Sequence, residues 1–237
     1  MSNTFTFNNI NSSQFHMYCS NGGTYDAPER DVKSVAVPGR NGELTIDNGR
    51  FTNAKVLFPC FVAKNYAENA EKIREWLLVP VGYCRLQDDA HPDEFRMARF
   101  VGGVEFEPNY TDKKATVDLT FSCMPQRFLT SGENVLSYTR SDGSIEENPT
   151  PFEAKPLLTA YGSGSGSVVI AGETIRISNI NGSVTIDCDT MNAYNGAENR
   201  NGTITVSGWP VLPPGQANYS FSGGVTSIDI IPRWWTV

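Results

Sequence analysis

The chain has 237 residues, of which 39% are hydrophobic and 19% charged, with a formal net charge of −7. That balance is enough to bury a core, which excludes a disordered chain. It offers no basic surface to displace counterions, which excludes non-specific binding to duplex DNA or to an anionic membrane.

Short apolar runs separated by 21 Gly and 14 Pro describe a mainly β protein with many turns. Residues Phe15-His16-Met17-Tyr18-Cys19 alternate with period 2. So do Val35 to Val37 and Leu44 to Ile46, on either side of Pro38-Gly39-Arg40-Asn41-Gly42. Proline fixes φ and glycine allows positive φ, so this segment reads as the tip of a hairpin. Residues 56–62 (VLFPCFV) form a continuous apolar strand, in which Pro59 implies an edge or a bulge.

A single helix is predicted from Ala67 to Val79. Asn65 caps it and Glu68 completes a capping box. Ala70, Ile73, Trp76 and Leu77 form its apolar stripe, and Pro80 stops it. Burial of Ile73 and Trp76 contributes roughly 4–6 kcal/mol, so the helix packs on a sheet. The clearest strand follows. Ala115, Val117, Leu119, Phe121 and Cys123 face one way, and Thr116, Asp118, Thr120 and Ser122 the other. Met124-Pro125-Gln126-Arg127-Phe128-Leu129 reads as punctuation after it.

A polar, proline-bearing seam lies near residues 130–155. Residues 1–130 carry 14 basic and 16 acidic side chains, and residues 131–237 carry 5 and 10. Two domains are expected, 1–131 and 132–237. The second reads as a series of short strands. Val168 to Ile170 and Thr174 to Ile177 flank the tight turn Ala171-Gly172-Glu173, and Asn181-Gly182, Asn195-Gly196 and Asn201-Gly202 mark further turns. The spacing fits a two-sheet sandwich. Gly162-Ser163-Gly164-Ser165-Gly166-Ser167 reads as a loop reaching a hairpin.

No 18-residue apolar stretch is present, and MSNTFTFNN lacks the basic and apolar regions of a secretory signal. Cys19, Cys60, Cys84, Cys123 and Cys188 are odd in number and scattered, which suits reduced core residues in a cytosol.

Candidate chemistry is sparse. Asp187 and Asp189 share one side of a strand and could ligate a hard cation, though solvated strand-end acids are the preferred reading. Glu146-Glu147 and Asp88-Asp89 are adjacent acids in polar loops, with side chains on opposite faces, which is poor geometry for a hydrolase pair. His16 is placed in a strand and His91 in a turn. Two histidines without a Cys-x-x-Cys do not make a zinc site. No nucleophile elbow or phosphate loop is present. Trp209, Trp234, Trp235, Tyr194 and Tyr219 crowd the second half. They could stack on sugars, but alternation of Trp234 and Trp235 on a last strand, one buried and one at a domain contact, accounts for them without a ligand.

Taken in order, the Pro38-Gly39-Arg40 hairpin, the helix, Phe121-Ser122-Cys123-Met124-Pro125-Gln126-Arg127-Phe128, Met191-Asn192-Ala193-Tyr194 and the terminal Pro232-Arg233-Trp234-Trp235 resemble the distal tail proteins of long-tailed (siphovirus-type) bacteriophages, the phage tail component family. The resemblance covers nearly the whole chain. It implies an N-terminal, tail-tube-like β-sandwich with one α-helix and a hairpin, and a C-terminal galectin-like β-sandwich. It also implies a homohexameric ring around a DNA channel through which DNA passes without specific binding. The implied partners are the tail-tube protein, the tape-measure or tip (tail-associated) protein, and receptor-binding or baseplate proteins. The implied location is the virion tail tip, after assembly in the bacterial host cytoplasm.

On this reading Pro38, Gly39, Arg40, Asn41 and Gly42 lie at a subunit contact or the lumen. Trp209, Trp234 and Trp235 are partner-docking or domain-contact aromatics. No enzyme activity, catalytic residue, cofactor, metal or membrane is expected. No segment is long enough to hold an inserted carbohydrate-binding module. The competing readings are a glycan-binding β-sandwich adhesion module and a glycoside hydrolase on a β scaffold.

Overall fold

The computed structural model describes residues 3–20, 27–109 and 113–237. It is mainly β and divides into two compact units, Met1–Arg127 with Val237, and Phe128–Thr236.

The first unit contains β1 (Phe5–Phe7), β2 (Ile10–Asn11), β3 (Met17–Cys19), β4 (Arg30–Val35), β5 (Leu44–Phe51), β6 (Ala54–Val62), α1 (Tyr66–Leu78), β7 (Cys84–Asp88), β8 (Glu94–Phe100), β9 (Glu107–Asn109) and β10, which runs from Lys114 to Leu129. Its main sheet has the order β2-β1-β7-β8-β10-β6-β3, with β9 on the end of β10. A backbone bridge between Asn3 and Cys19 brings β3 back to the start of the chain. The alternation on β10 is realised: Ala115, Val117, Leu119, Phe121 and Cys123 are all buried. The strand does not stop at Met124, however. Its register with β6 ends at Cys123 opposite Ala54, before Pro125, so that proline meets no demand for an amide from β6.

Pro59 is not on an edge strand, because β6 pairs with β10 on one side and β3 on the other. Ser20 donates to the Pro59 carbonyl at 2.8 Å. The missing N–H of Pro59 therefore falls just beyond the last residue of β3, where the ladder is ending anyway.

The helix buries Ala70, Ile73, Trp76 and Leu77, as its spacing predicts, and Asn69 with them. Trp76 stacks on Phe5 at 5.4 Å and donates its Nε1–H to the Phe7 carbonyl at 2.9 Å. Phe5 in turn stacks on Phe58 at 4.9 Å, and Phe121 meets Phe58 edge-on at 5.9 Å. The capping box does not form. Asn65 is left-handed, at φ 50°, and its side chain makes no cap hydrogen bond, while Asn69 Nδ2 donates to the Lys64 carbonyl. His16 is not in a strand either. It closes a short 3₁₀ turn, Ser12–Phe15, at φ 52°.

The second unit contains β11 (Leu136–Tyr138), β12 (Asp142–Ser144), β13 (Leu157–Ile170), β14 (Glu173–Asp187), β15 (Asn192–Asn195), β16 (Glu198–Asn199), β17 (Ile204–Val206), β18 (Asn218–Ile231) and β19 (Trp235–Thr236). The expected short strands are instead halves of long ones. β13, β14 and β18 run 14, 15 and 14 residues and pair in the order β18-β13-β14. β12 pairs with the first part of β18 and β11 with its last part. β17 pairs with the first part of β14 and β15 with its last. Val168, Ile175 and Phe221 from one half share a single core with Leu158, Val184, Ile186 and Ile228 from the other. Both halves of the long strands thus contribute to one core.

The glycine-serine run makes this possible. It lies inside β13 rather than in a loop, and the register with β18 shifts between Tyr161 and Gly166. A Cβ at Gly162 would collide with the Gly224 carbonyl, and one at Gly224 with the Ser163 carbonyl. Only glycine lets the two backbones approach this closely. Asn181-Gly182 is likewise inside β14, opposite Ser163 and Gly162, and not a turn. Asn201-Gly202 lies in a short 3₁₀ helix, Asn201–Thr203, and the other two turn signals are realised. Ala171 (φ 50°) and Gly172 (φ 90°) join β13 to β14 in a two-residue turn, and Gly196 (φ 58°) opens the turn between β15 and β16.

The polar seam is folded into this unit. Ile145 is buried and donates to the Ala217 carbonyl. Asn148 is buried too, and exchanges backbone hydrogen bonds with Gly215.

Candidate functional site

An exposed apolar surface is presented by a ribbon formed by β4 and β5, a two-stranded sheet of its own. Val35 pairs with Leu44, Ser34 with Thr45, Lys33 with Ile46 and Val32 with Asp47, and the register shifts before Arg30 meets Phe51. Period 2 then puts Lys33, Val35, Leu44 and Ile46 on one face and Val32, Ser34, Thr45 and Asp47 on the other. Leu44 is 43% exposed and Ile46 47%. Val32 and Val37 are exposed as well.

The tip obeys the turn chemistry read from the sequence. Pro38 and Gly39 are its central residues, Gly39 has φ 80°, and Arg40 N–H donates to the Val37 carbonyl at 3.1 Å, as in a type II turn. Arg40, Asn41 and Gly42 are exposed.

Charge pairing holds the base of the ribbon. Arg30 Nε lies 2.7 Å from Asp47 and Arg50 Nε 2.7 Å from Asp31, which also accepts from Asn48. The Arg50 and Asn48 hydrogen bonds keep the Asp31 carboxyl below its ordinary range, and those from Arg30 and the Gly49 amide do the same for Asp47. Arg30 also sits over the Phe51 ring at 5.2 Å. A two-stranded ribbon in water is marginal by itself. Here it is pinned by ions at its base and presents aliphatic side chains at its middle.

The aromatic candidates fall elsewhere. Trp234 is 3% exposed and belongs to the core of the second unit. Trp235 stacks on Phe152 at 4.5 Å and donates to the Glu153 carbonyl at 2.9 Å. Trp209 is half-buried against the same core, and Tyr219 is buried beside Tyr138. The structure does not gather them on one open face.

The acidic candidates are engaged in local contacts. Asp187 binds Arg233, and Asp189 binds Lys155 at 3.1 Å. Asp89 accepts from the Thr4 amide, and Asp88 from the amides of Ala90 and His91. The Glu146 amide donates to the Tyr138 hydroxyl. Among the described residues no group of three or more His, Cys, Asp or Glu is placed to hold a metal ion, and no helix is long and apolar enough to cross a membrane.

One exposed feature escaped the sequence reading. Leu78, Val79 and Val81, at the end of α1, are 57%, 71% and 101% exposed. Their signal was the run LLVPV itself, read only as a helix stop.

No protein-family model matches the chain, and no curated protein sequence matches it. Solved structures do. The chain is similar to the Dit (gp 19.1) protein of phage SPP1, described as a paradigm of the hub adsorption apparatus in phages infecting Gram-positive bacteria. The TM-score is 0.79 at 10% identity over 100% of both chains. It is also similar to a chain of the phage P2 baseplate in its activated conformation with calcium, with a TM-score of 0.58 at 8% identity, covering 97% of this chain and 98% of that one. The strontium form of that baseplate gives 0.57 at 9% identity, covering 97% of each. The chain thus has the fold of phage tail hub and baseplate proteins from end to end.

Proposed function

We propose that this protein is the distal tail hub of a siphovirus-type phage. It forms a homohexameric ring around the DNA channel and joins the tail tube to the tip, baseplate and receptor-binding proteins. The observation that carries this reading is the match to the SPP1 hub protein over the whole of both chains. A single shared sandwich would be a common fold with many uses. Two dissimilar units in the same order and length are a far more restrictive likeness.

The β4–β5 ribbon supports the same reading. A cyclic ring needs two different surfaces on each subunit, one fitting the other. Among the described residues the ribbon pairs with no further strand, and it offers the exposed side chains of Val32, Leu44 and Ile46. We assign Pro38 to Gly42 and the strands behind them to a subunit contact or the lumen. The second unit, with its acidic balance, is assigned to the periphery as a galectin-like docking module. The role is structural, and no hydrolysis of cell-wall or capsule polysaccharide is expected.

Electron microscopy of the purified protein, alone and mixed with its tail-tube partner, tests the proposal. Six-fold rings in either sample support it. A protein that stays monomeric in both, or that forms a ring of another symmetry, overturns it.

A further inference from the structure

Cys19 and Cys60 face each other across β3 and β6, with their sulfurs 3.4 Å apart. The ladder fixes what kind of pair they are. Ala63 donates to the His16 carbonyl and Ser20 to the Pro59 carbonyl, both at 2.8 Å. Hydrogen-bonded rungs therefore fall at 16/63, 18/61 and 20/59, and Cys19/Cys60 is the non-hydrogen-bonded pair between two of them. Consistently, Cys19 N–H points away from β6, to the Asn3 carbonyl at 2.8 Å. In such pairs the Cα atoms stand about 4.5 Å apart, inside the span of about 4.4–6.8 Å that disulfides bridge.

The rung next to this pair is weak. Pro59 has no N–H, so the 20/59 rung keeps only the bond from Ser20. β3 is three residues long and lies at the end of the sheet order. A covalent link at Cys19–Cys60 would hold β3 where one hydrogen bond is missing.

We propose that Cys19 and Cys60 are a latent cross-strand disulfide, which forms when the protein passes from a reducing to an oxidising medium and staples β3 to β6. Both thiols are buried, at 6% and 2% exposure. The contact with Cys19, together with burial, pushes the Cys60 thiol up, so the folded pair reacts slowly. Oxidation proceeds through local lifting of β3, the kind of opening that short terminal strands undergo most readily. With a diazene oxidant the Cys19 thiolate adds to one nitrogen of the N=N bond, which takes up a proton. The Cys60 sulfur then attacks the Cys19 sulfur, and the hydrazide leaves with a second proton. Two S–H bonds break, one S–S bond forms, and the diazene is reduced to a hydrazine. A low-molecular-weight disulfide serves equally by two exchanges. The inference is independent of the hub role.

The test treats the full chain with diamide, then unfolds, alkylates and maps it by mass spectrometry, with a dithiothreitol-treated control. The expected result is a linked peptide containing Cys19 and Cys60. It is accompanied by a rise in Tm of roughly 5–10 °C, reversed by dithiothreitol and missing in Cys19→Ala. Half-buried Cys84 serves as the internal control for oxidant access. The proposal is overturned by Cys19 and Cys60 remaining alkylatable after Cys84 has been consumed, by a linked peptide with unchanged Tm, or by the same Tm rise in Cys19→Ala. Should Cys19→Ala fail to fold, the peptide map and paired melts of the wild-type chain decide alone.

Discussion

Arg233 binds Asp187 through two hydrogen bonds, at 2.7 and 3.3 Å, and ties the end of the chain to the last residue of β14. Arg233 itself is left-handed, at φ 58°, and its N–H donates to the Gly132 carbonyl at 2.8 Å. The fork holds the turn that inserts Trp234 into the core of the second unit. Asp187 was a candidate cation ligand in the sequence. In the fold its charge is met by a guanidinium and by the Asp189 and Thr190 amides.

This pair makes stability depend on pH in a defined direction. Burial opposes ionisation of Asp187, but the Arg233 hydrogen bonds and the Asp189 amide outweigh it and hold the carboxyl below its ordinary value of 3.8. A depressed carboxyl contributes stability above that value and loses it as pH falls through the folded-state value. Arg233→Ala should cost about 2 kcal/mol at pH 7, because the Asp187 side chain is only 13% exposed and loses its main partner. The Tm difference between wild type and variant should shrink below about pH 4. A difference that stays constant from pH 7 to pH 3 would show that Arg233 acts through packing alone.

The strand crossing at Gly162 predicts a sharp position effect. Gly162→Ala should destabilise by about 3 kcal/mol or more, since its Cβ would occupy the Gly224 carbonyl. Gly164→Ala is the control. No heavy atom lies within 4 Å of its added Cβ, and only its φ of 75° is unfavourable, so about 1–2 kcal/mol is expected. Equal losses for the two, measured by urea unfolding, would mean that backbone strain and not close approach governs this segment.

These elements also mark how far the sequence could be read. The alternation of Ala115 to Cys123, the stripe of Ile73 and Trp76, and the Ala171-Gly172 turn are local signals, and each dictates its own structure. The glycine-serine run fails for a physical reason. Flexible composition normally means a loop, and only the partner strand β18, distant in sequence, turns it into a tight crossing. Pro59 reads as an edge or a bulge and Pro125 as punctuation, because the ladder position where an N–H is dispensable depends on where the neighbouring strand ends. The ribbon tip was legible from Pro38 and Gly39, whereas the exposure of Leu44 and Ile46 was not, because strand residues of that kind are normally core.

Ribbon substitutions should separate assembly from folding. Arg40→Glu, and Leu44→Glu combined with Ile46→Glu, change exposed side chains that belong to neither core. The monomer should keep its Tm to within the shift of about 0.5 kcal/mol typical of surface changes. Under the hub reading the ring should dissociate at concentrations where the wild type holds together, as read by multi-angle light scattering. Rings of unchanged stability in both variants would remove the ribbon from the subunit contact.

The last prediction concerns the division of labour between the two units. The chain divides between Arg127 and Phe128, so fragments should be cut there. A cut after residue 131 would strip the second unit of the Leu129 amide that donates to the Trp234 carbonyl at 2.9 Å. The second unit has its own core, which includes Trp234, with Trp209 and Trp235 packed against it. Fragment 128–237 should therefore fold alone and run as a monomer. Fragment 1–127 carries the ribbon and the exposed Leu78, Val79 and Val81, and it should retain self-association, though more weakly than the full chain. Light scattering on both fragments decides the matter. If 128–237 forms the ring and 1–127 remains monomeric while folded, ring formation belongs to the second unit and the ribbon serves another partner.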